Sequence, residues 1–334
     1  LNYNSFIRTT DARHIKAAQE FWRRCAENGD IYKKDYKIKY CVGCELEKQE
    51  SELVGGRCPL HSKEEIEIIC EENYFFRYSR YQNKLLKLYQ ENAEFVLPKS
   101  KFNEIKNFTK RGLKDFSISR LKEKMPWGIP VPDDNKHVMF VWFEALINYI
   151  SCLDWPDDVK KFNEFWPGFQ VAGKDNLRQQ SSMWQAMLLS AGLPTSKQIF
   201  IHGFITSGGQ KMSKSLGNVI DPFRLVQKYG VDPVRYFLLR EISPTEDGDF
   251  TYEKFRQRYN SDLARGLGNL VARIMALREK LKRQSARIKT VIKNLKLKKE
   301  ISNTQKNYKK ALEEFKFNEA LVAIWELISF CDKY

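Results

Sequence analysis

Gly173-Lys-Asp-Asn176 and Gly209-Gln-Lys-Met-Ser-Lys-Ser-Leu-Gly-Asn218 bracket the stretch on which the reading of the fold turns. Between them an amphipathic helical run over 181–191 precedes a short apolar strand, Ile199-Phe-Ile-His-Gly203. A helix and a strand so ordered deliver two polar loops to one place, as in α/β sheets whose ligands gather outside the carboxyl ends of the strands. The second loop holds two lysines three apart, two serines and several glycines, a set that can surround a polyanion and let its backbone approach closely. It lacks the longer glycine-bracketed spacer of a Walker phosphate loop. Taken alone, a lysine-serine loop also suits a solvated surface turn.

Outward from this stretch the α/β texture continues. Val138-Met-Phe-Val-Trp142 is rich in β-branched and aromatic residues and predicts a buried strand, followed by a helix over 143–151. Phe169-Gln-Val-Ala-Gly173 predicts another strand, so the alternation across 138–220 implies a parallel sheet with crossover helices. Trp142, Asp175 and the loop after Gly203 then fall at strand ends. The chain opens with an expected strand, Leu1 to Asp11, and Asp11 is placed to cap a helix whose apolar face is Ile15, Ala18, Phe21 and Trp22. Short polar strands and turns fill 31–101, with a helix expected over 74–90. Pro233 suits the first turn of a helix, 247–251 reads as a turn, and only helices follow residue 255: one over 262–283 and, after a basic linker, one over 301–334.

Cys41-Val-Gly-Cys44 and Cys58-Pro-Leu-His61 flank a glycine-containing hairpin. Three thiolates and an imidazole can close the tetrahedron that Zn2+ accepts without strain, and with no carboxylate at an open position the ion is expected to be structural. Cys25, Cys70, Cys152 and Cys331 are scattered and suit core positions, and seven cysteines, an odd number unevenly spaced, favour a reduced cytoplasmic compartment over disulfides. The longest apolar run, 138–150, is broken by Glu144 and Asn148 and is too short to span a bilayer. A soluble protein without a membrane partner is expected. Fifty-seven basic against 42 acidic residues give a net charge of +15, with a basic cluster over 278–299, the footprint of a polyanionic partner such as nucleic acid.

Lys211-Met-Ser-Lys-Ser215 resembles the KMSKS signature of class I aminoacyl-tRNA synthetases. Around it, Phe6-Ile-Arg-Thr-Thr-Asp-Ala-Arg-His14, Tyr40-Cys-Val-Gly-Cys-Glu45, Val141-Trp-Phe-Glu-Ala-Leu-Ile-Asn-Tyr149, Gly173-Lys-Asp-Asn176 and Gly268-Asn-Leu-Val-Ala-Arg273 are similar, in the same order, to the methionyl-tRNA synthetase family. The resemblance implies a Rossmann-like parallel sheet with an incomplete first half, a zinc-binding insertion and a C-terminal α-helical anticodon-binding domain. The expected division is 1–30, the end of the first Rossmann half; 31–112, the zinc-bearing insertion; 113–204, the second half; 205–256, the lysine loop and stem-contact region; and 257–334, the helical domain.

The implied activity is methionine–tRNA ligation: L-methionine is activated by ATP, with Mg2+ in the substrate complex, and transferred to tRNA(Met). Lys211 and Lys214 would neutralise charge growing on the ATP phosphates, and His202, Gly203, Ser213 and Ser215 would join them around ATP. Asp175 matches the carboxylate that holds the methionine ammonium group. Trp142, Leu146 and Tyr149 match the side-chain pocket, whose aromatic wall suits a thioether; Gln180 stands where the family usually has a histidine. Asn269 and Arg273 match positions that read the anticodon. The four histidines, His14, His61, His137 and His202, include no close pair of the HIGH type, so the sequence reads as an internal fragment or the downstream product of a split gene, inactive alone and completed by a separate N-terminal fragment. The alternative of another class is a non-catalytic, zinc-containing tRNA-binding protein derived from a synthetase. Retention of Lys214 and Asp175 favours the enzyme.

Overall fold

The computed structural model describes residues 3–44, 46–48, 50–213, 217–283 and 295–333. Lys214, Ser215 and residues 284–294 of the basic cluster at 278–299 lie outside these residues. The chain divides into two compact units, Leu1–Phe200 and Ile201–Tyr334. Among the described residues no helix is long and apolar enough to cross a membrane.

The first unit opens not with a strand but with an irregular segment leading into α1 (Ala12–Glu27). Asp11 does occupy the N-cap, yet its carboxylate accepts from the Arg8 N–H (3.1 Å) rather than from the helix. The buried face of α1 is His14, Ala17, Ala18, Phe21, Trp22 and Cys25, recurring at helical spacing. Two long strands follow, β1 (Ile31–Cys41) and, after β2 (Leu46–Lys48), β3 (Glu67–Phe76), antiparallel from Ile31 opposite Phe76 to Tyr40 opposite Glu67. The helix expected from residue 74 therefore starts late. Tyr74, Phe75 and Phe76 belong to β3, and helix α2 is Gln82–Glu91.

Strand β4 (Val96–Leu97) and helix α3 (Lys99–Lys110) lead to β5 (Phe116–Ser117), which extends the β1–β3 sheet. Strands β6 (Ser119–Leu121), β7 (Pro130–Val131) and β8 (Asp134–Met139) form a separate antiparallel sheet in the order β6-β8-β7. The strand expected over 138–142 is thus corrected: it ends at Met139 and is not part of a parallel sheet. Trp142 instead opens α4 (Trp142–Ala145), and the expected single helix is two one-turn pieces, the second being α5 (Asn148–Ser151).

After α6 (Val159–Phe165) come β9 (Phe169–Gly173), α7 (Trp184–Ser190) and β10 (Gln198–His202). These give the sheet β4-β10-β9, in which β10 runs parallel to β4 with Ile199 opposite Val96. The sheet therefore draws a strand from within 31–112. The helix expected from 181 begins as a π-helical turn, Gln179–Met183, before tightening into α7. Such turns widen the ladder by one residue and recur at functional sites. The core here is aromatic: Trp184 stacks on Phe21 (5.6 Å between centroids) and meets Trp166 edge-on (6.3 Å).

In the second unit, β11 (Ile205–Ser207) pairs with β12 (Gln210–Lys211) across Gly208 and Gly209, whose φ of 62° and 75° are those a two-residue hairpin turn demands. Gly208 and Gly209 of the lysine loop thus serve a turn. Helix α8 (Pro222–Tyr229) starts on Asp221, whose carboxylate accepts from the Phe223 N–H (2.8 Å), with Pro222 in the first turn, where no N–H is needed. Helix α9 (Val231–Arg240) follows. The turn expected at 247–251 is β13 (Gly248–Phe250), parallel to β11. Leu225, Val234, Phe237, Ile242, Phe250 and Phe255 make the core of this unit.

Helix α10 (Tyr252–Arg258) runs through a π-helical stretch, Tyr259–Leu267, into α11 (Gly268–Arg283). Gly266 lies under Trp325, where a Cβ would be 3.1 Å from the indole. The last helix expected is two, α12 (Leu295–Glu313) and α13 (Phe317–Lys333). Phe315 takes a left-handed φ of 58° and the Lys316 N–H returns to the Ala311 carbonyl (2.8 Å), a Schellman-type stop.

Candidate active site and metal centre

The metal-ligand pattern is assembled. Cys41, Cys44, Cys58 and His61 bring their ligand atoms within 4.8 Å of one another. His61 Nδ1 lies 3.7, 3.2 and 4.0 Å from the sulfurs of Cys41, Cys44 and Cys58, and Cys44 and Cys58 are 3.5 Å apart. A tetrahedral Zn2+ would need edges of about 3.6–3.8 Å, given bond lengths of about 2.3 Å to sulfur and 2.0 Å to nitrogen. The donors fit that size. Gly43 is required locally, since a Cβ there would fall 2.5 Å from the His61 ring. Gly55 and Gly56 turn the hairpin at φ of 59° and 75°. Burial opposes the Cys58 thiolate, but hydrogen bonds from His61, the Leu60 backbone and the neighbouring thiols hold its pKa at about 6; burial pushes Cys44 up to about 12. A cation would settle that conflict by deprotonating both.

In the first unit the expected methionine residues sit on α4, α5 and the turn after β9. Trp142 is half-buried, and its Nε1 is buried without a hydrogen-bond partner among the described residues. Leu146 is buried and Tyr149 half-buried. The Gln180 amide, in the π-helical turn, donates to the Tyr149 hydroxyl (3.0 Å), while its own Oε1 is buried and unpartnered. Burial raises the Tyr149 pKa and the bond from Gln180 partly offsets it. Asp175 is exposed in the short turn that ends β9 and folds back over Gly173, where a Cβ would stand 2.8 Å from its Oδ1. Tyr149 and Gln180 are therefore joined directly. Trp142 lines a cavity of about 450 Å3 with Phe116, Phe140, Gln179 and Met183, whereas Leu146, Tyr149, Asp175 and Gln180 do not.

Sequence reasoning missed two features of this unit. Arg178 pairs with Glu52 (3.1 Å) and lies over Phe108 (4.5 Å). His14 reaches Ser151 and Glu144 through its two ring nitrogens. The signal for the second was present: an imidazole inside the apolar stripe of α1, and a carboxylate interrupting the apolar run at 144.

In the second unit Lys211 is exposed at the end of β12, with its ammonium 4.8 Å above the Phe204 ring. Asn218 braces the loop: its Oδ1 accepts from the Ser213 N–H (2.8 Å) and its Nδ2 donates to the Lys211 carbonyl (3.2 Å). Asp249 accepts from the Gly209 N–H (2.8 Å) and the Thr206 hydroxyl (2.9 Å), which lowers its pKa. His202 Nδ1 meets the Gly203 carbonyl. Gly203 is demanded by packing, because a Cβ would lie 2.0 Å from the Glu246 carbonyl oxygen. Gly203→Ala is accordingly expected to cost about 1–3 kcal/mol, since backbone must move to admit the methyl. A thermal melt indistinguishable from wild type would contradict this. On α11, Asn269 is exposed, and Arg273 donates to the Asp332 carboxylate (2.9 Å) and carbonyl (3.2 Å). Lys214 and Ser215 fall outside the described residues.

A family model described as tRNA synthetases class I (M) matches residues 1–71 and 60–275. The chain belongs to this family, the methionyl-tRNA synthetases of class I. It is 43% identical over 348 residues to the methionine–tRNA ligase of Nostoc sp. (strain PCC 7120), covering 100% of this chain and 64% of that ligase. To the Thermotoga maritima methionine–tRNA ligase it is 44% identical over 336 residues, covering 98% and 53%. A crystal structure of Mycobacterium tuberculosis methionyl-tRNA synthetase bound by methionyl-adenylate matches with a TM-score of 0.92 at 37% identity, covering 100% of this chain and 66% of that one. The chain thus spans about half to two thirds of the length of these relatives. The family resemblance of the motifs and the α/β class with its cysteine-rich site and C-terminal helices are borne out.

Proposed function

We propose that the chain supplies the methionine pocket, the lysine loop and the metal knuckle of a methionine–tRNA ligase, which activates L-methionine with Mg2+-ATP and transfers it to tRNA(Met). One observation carries this reading: the whole chain is similar, at a TM-score of 0.92, to a synthetase bound by methionyl-adenylate. Asp175, at the carboxyl end of β9, would take the substrate ammonium. Trp142, Leu146 and Tyr149 would enclose the thioether, and the Gln180–Tyr149 bond would do part of what the family's usual histidine does. Lys211 and Lys214, with Ser213, Ser215, His202 and Gly203 nearby in sequence, would face the ATP phosphates. Catalysis there needs little beyond positioned charge. Asn269 and Arg273 would meet anticodon bases, Arg273 being aimed by Asp332. Zn2+ held by Cys41, Cys44, Cys58 and His61 would be structural, and the free thiols suit a cytoplasmic setting. The division into 1–30, 31–112, 113–204, 205–256 and 257–334 is kept as part of this reading, with strand Val96–Leu97 counted with the sheet.

Equilibrium dialysis of the purified chain with radiolabelled methionine tests the reading. Trp142→Ala is expected to weaken binding by about tenfold to a hundredfold, the loss of roughly 1.5–3 kcal/mol of buried apolar contact. Asp175→Asn is expected to weaken it by about thirtyfold or more through loss of the ion pair. Wild-type chain that binds tRNA(Met) but not methionine would sink the reading in favour of a non-catalytic tRNA-binding protein.

A further inference from the structure

Helices α4 and α5 are one turn each, too short to hold a fixed geometry by their own hydrogen bonds. They nevertheless carry Trp142 and Tyr149, with Leu146 between them. Single turns join them, Ile147 N–H to the Glu144 carbonyl (3.0 Å) and Tyr149 N–H to the Leu146 carbonyl (3.4 Å), and Phe143, Ile147 and Ile150 anchor them in the core, so polar contacts from outside can add to what sets their separation. His14 is fully buried on α1, with Nδ1 2.9 Å from the Ser151 hydroxyl in α5 and Nε2 3.1 Å from the Glu144 carboxylate in α4. Glu144 is two residues from both Trp142 and Leu146, and Ser151 is two from Tyr149.

We infer that His14 is the positioning residue of this pocket, an imidazole clasp that spans α4 and α5 and fixes where Trp142, Leu146 and Tyr149 stand. The chemistry admits one arrangement of the neutral ring. An ionised carboxylate only accepts, so Nε2 carries the proton, and Nδ1 at 2.9 Å then accepts from the Ser151 hydroxyl, which donates to it in preference to the Asn148 carbonyl, 3.5 Å from that oxygen. Each arm thus has a fixed donor and acceptor, and a buried bond to a charged group contributes more than a neutral one. The arrangement of serine, histidine and acid is also that of a nucleophilic triad, but Ser151 is 0% exposed, so no substrate can reach its oxygen. The group is a clasp and not a second catalytic centre. That Trp142, Leu146 and Tyr149 line a methionine pocket rests on the function proposed above, whereas the clasp itself does not.

The test is hydrogen–deuterium exchange of the full chain alongside methionine dialysis. Glu144→Ala is expected to raise exchange across 142–151 by about tenfold or more while exchange in the β1–β3 sheet stays at the wild-type rate. Methionine binding should weaken by about tenfold to a hundredfold, matching loss of one buried charge-assisted bond. Glu144→Gln, whose amide oxygen still accepts from Nε2, should restore both. Ser151→Ala removes one arm only and serves if Glu144→Ala does not fold. Wild-type exchange across 142–151 in both alanine variants overturns the inference, as does a glutamine variant as impaired as the alanine one. If Trp142→Ala leaves methionine binding unchanged, the pocket reading has failed and exchange alone decides the clasp. If Trp142→Ala weakens binding and Glu144→Ala does not, the pocket stands and the positioning role falls.

Discussion

Cys44→Ser is expected to leave the purified chain with almost no zinc where the wild type carries one ion, and to unfold the knuckle between β1 and β3. The reason lies in what that segment fails to bury. Cys41 and Cys58 are buried, but Val42, Val54 and Leu60 are 49%, 72% and 69% exposed, so among the described residues the ligand cluster has more to hold the segment with than apolar packing does. A segment of this kind folds at the expense of ion binding, and apparent zinc free energies in such sites run to about 10–16 kcal/mol. The sheet beside it should survive, because β1 and β3 pair over ten registers and their ends at Ile31 and Phe76 are anchored far from the ligands. The expected pattern is therefore local. Metal analysis should fall to near zero and amide protection should vanish over 42–66 while persisting in 31–40. A metal-free chain whose knuckle stays as protected as the wild type would rule out the structural role. Treatment of the wild type with a strong chelator should reproduce the variant.

The ligand set was legible because its signal is a short spacing whose chemistry allows few alternatives. The amphipathic face of α1 was legible for a similar reason: Ala18, Phe21 and Trp22 repeat at 3.6 residues, and all three are buried. Where strand and helix share an apolar vocabulary, the sequence alone misplaced the boundary. Tyr74, Phe75 and Phe76 fit either element until β1 supplies ten partners across from β3. Val138 and Met139 are buried strand residues as expected, yet β6 and β7 flank them antiparallel, and local composition carries no record of partner direction. Trp142 was misplaced by three residues for that reason. The His14 clasp was illegible in another way: its members are 130 and 137 residues apart, and only the fold brings them together. Phe315 shows the converse, a left-handed residue that no glycine announces.

Trp184→Ala should be the most damaging single substitution among the aromatic residues of the first unit. Trp184 is 0% exposed; its ring stacks on Phe21, meets Trp166 edge-on and lies 6.5 Å from Tyr149, so its removal opens a hole among three aromatic systems. Large-to-small changes of this kind cost about 3–5 kcal/mol, because stacked neighbours cannot collapse into the space. For a unit of this size that corresponds to a fall in Tm on the order of 10 °C. Trp184→Phe should cost distinctly less, since it keeps a ring against Phe21 and its loss of the indole N–H sacrifices nothing: that Nε1 has no partner. The second unit has its own core around Phe237 and Phe255, so exchange protection in α9 and α10 should be unchanged in both variants. Methionine binding separates this residue from Trp142. Trp184 meets the proposed pocket at Tyr149, and a phenylalanine keeps a ring there, so Trp184→Phe should bind methionine nearly as the wild type does, while Trp142→Ala should not. A phenylalanine variant as unstable as the alanine one would mean that the indole, and not the filled volume, holds this core together.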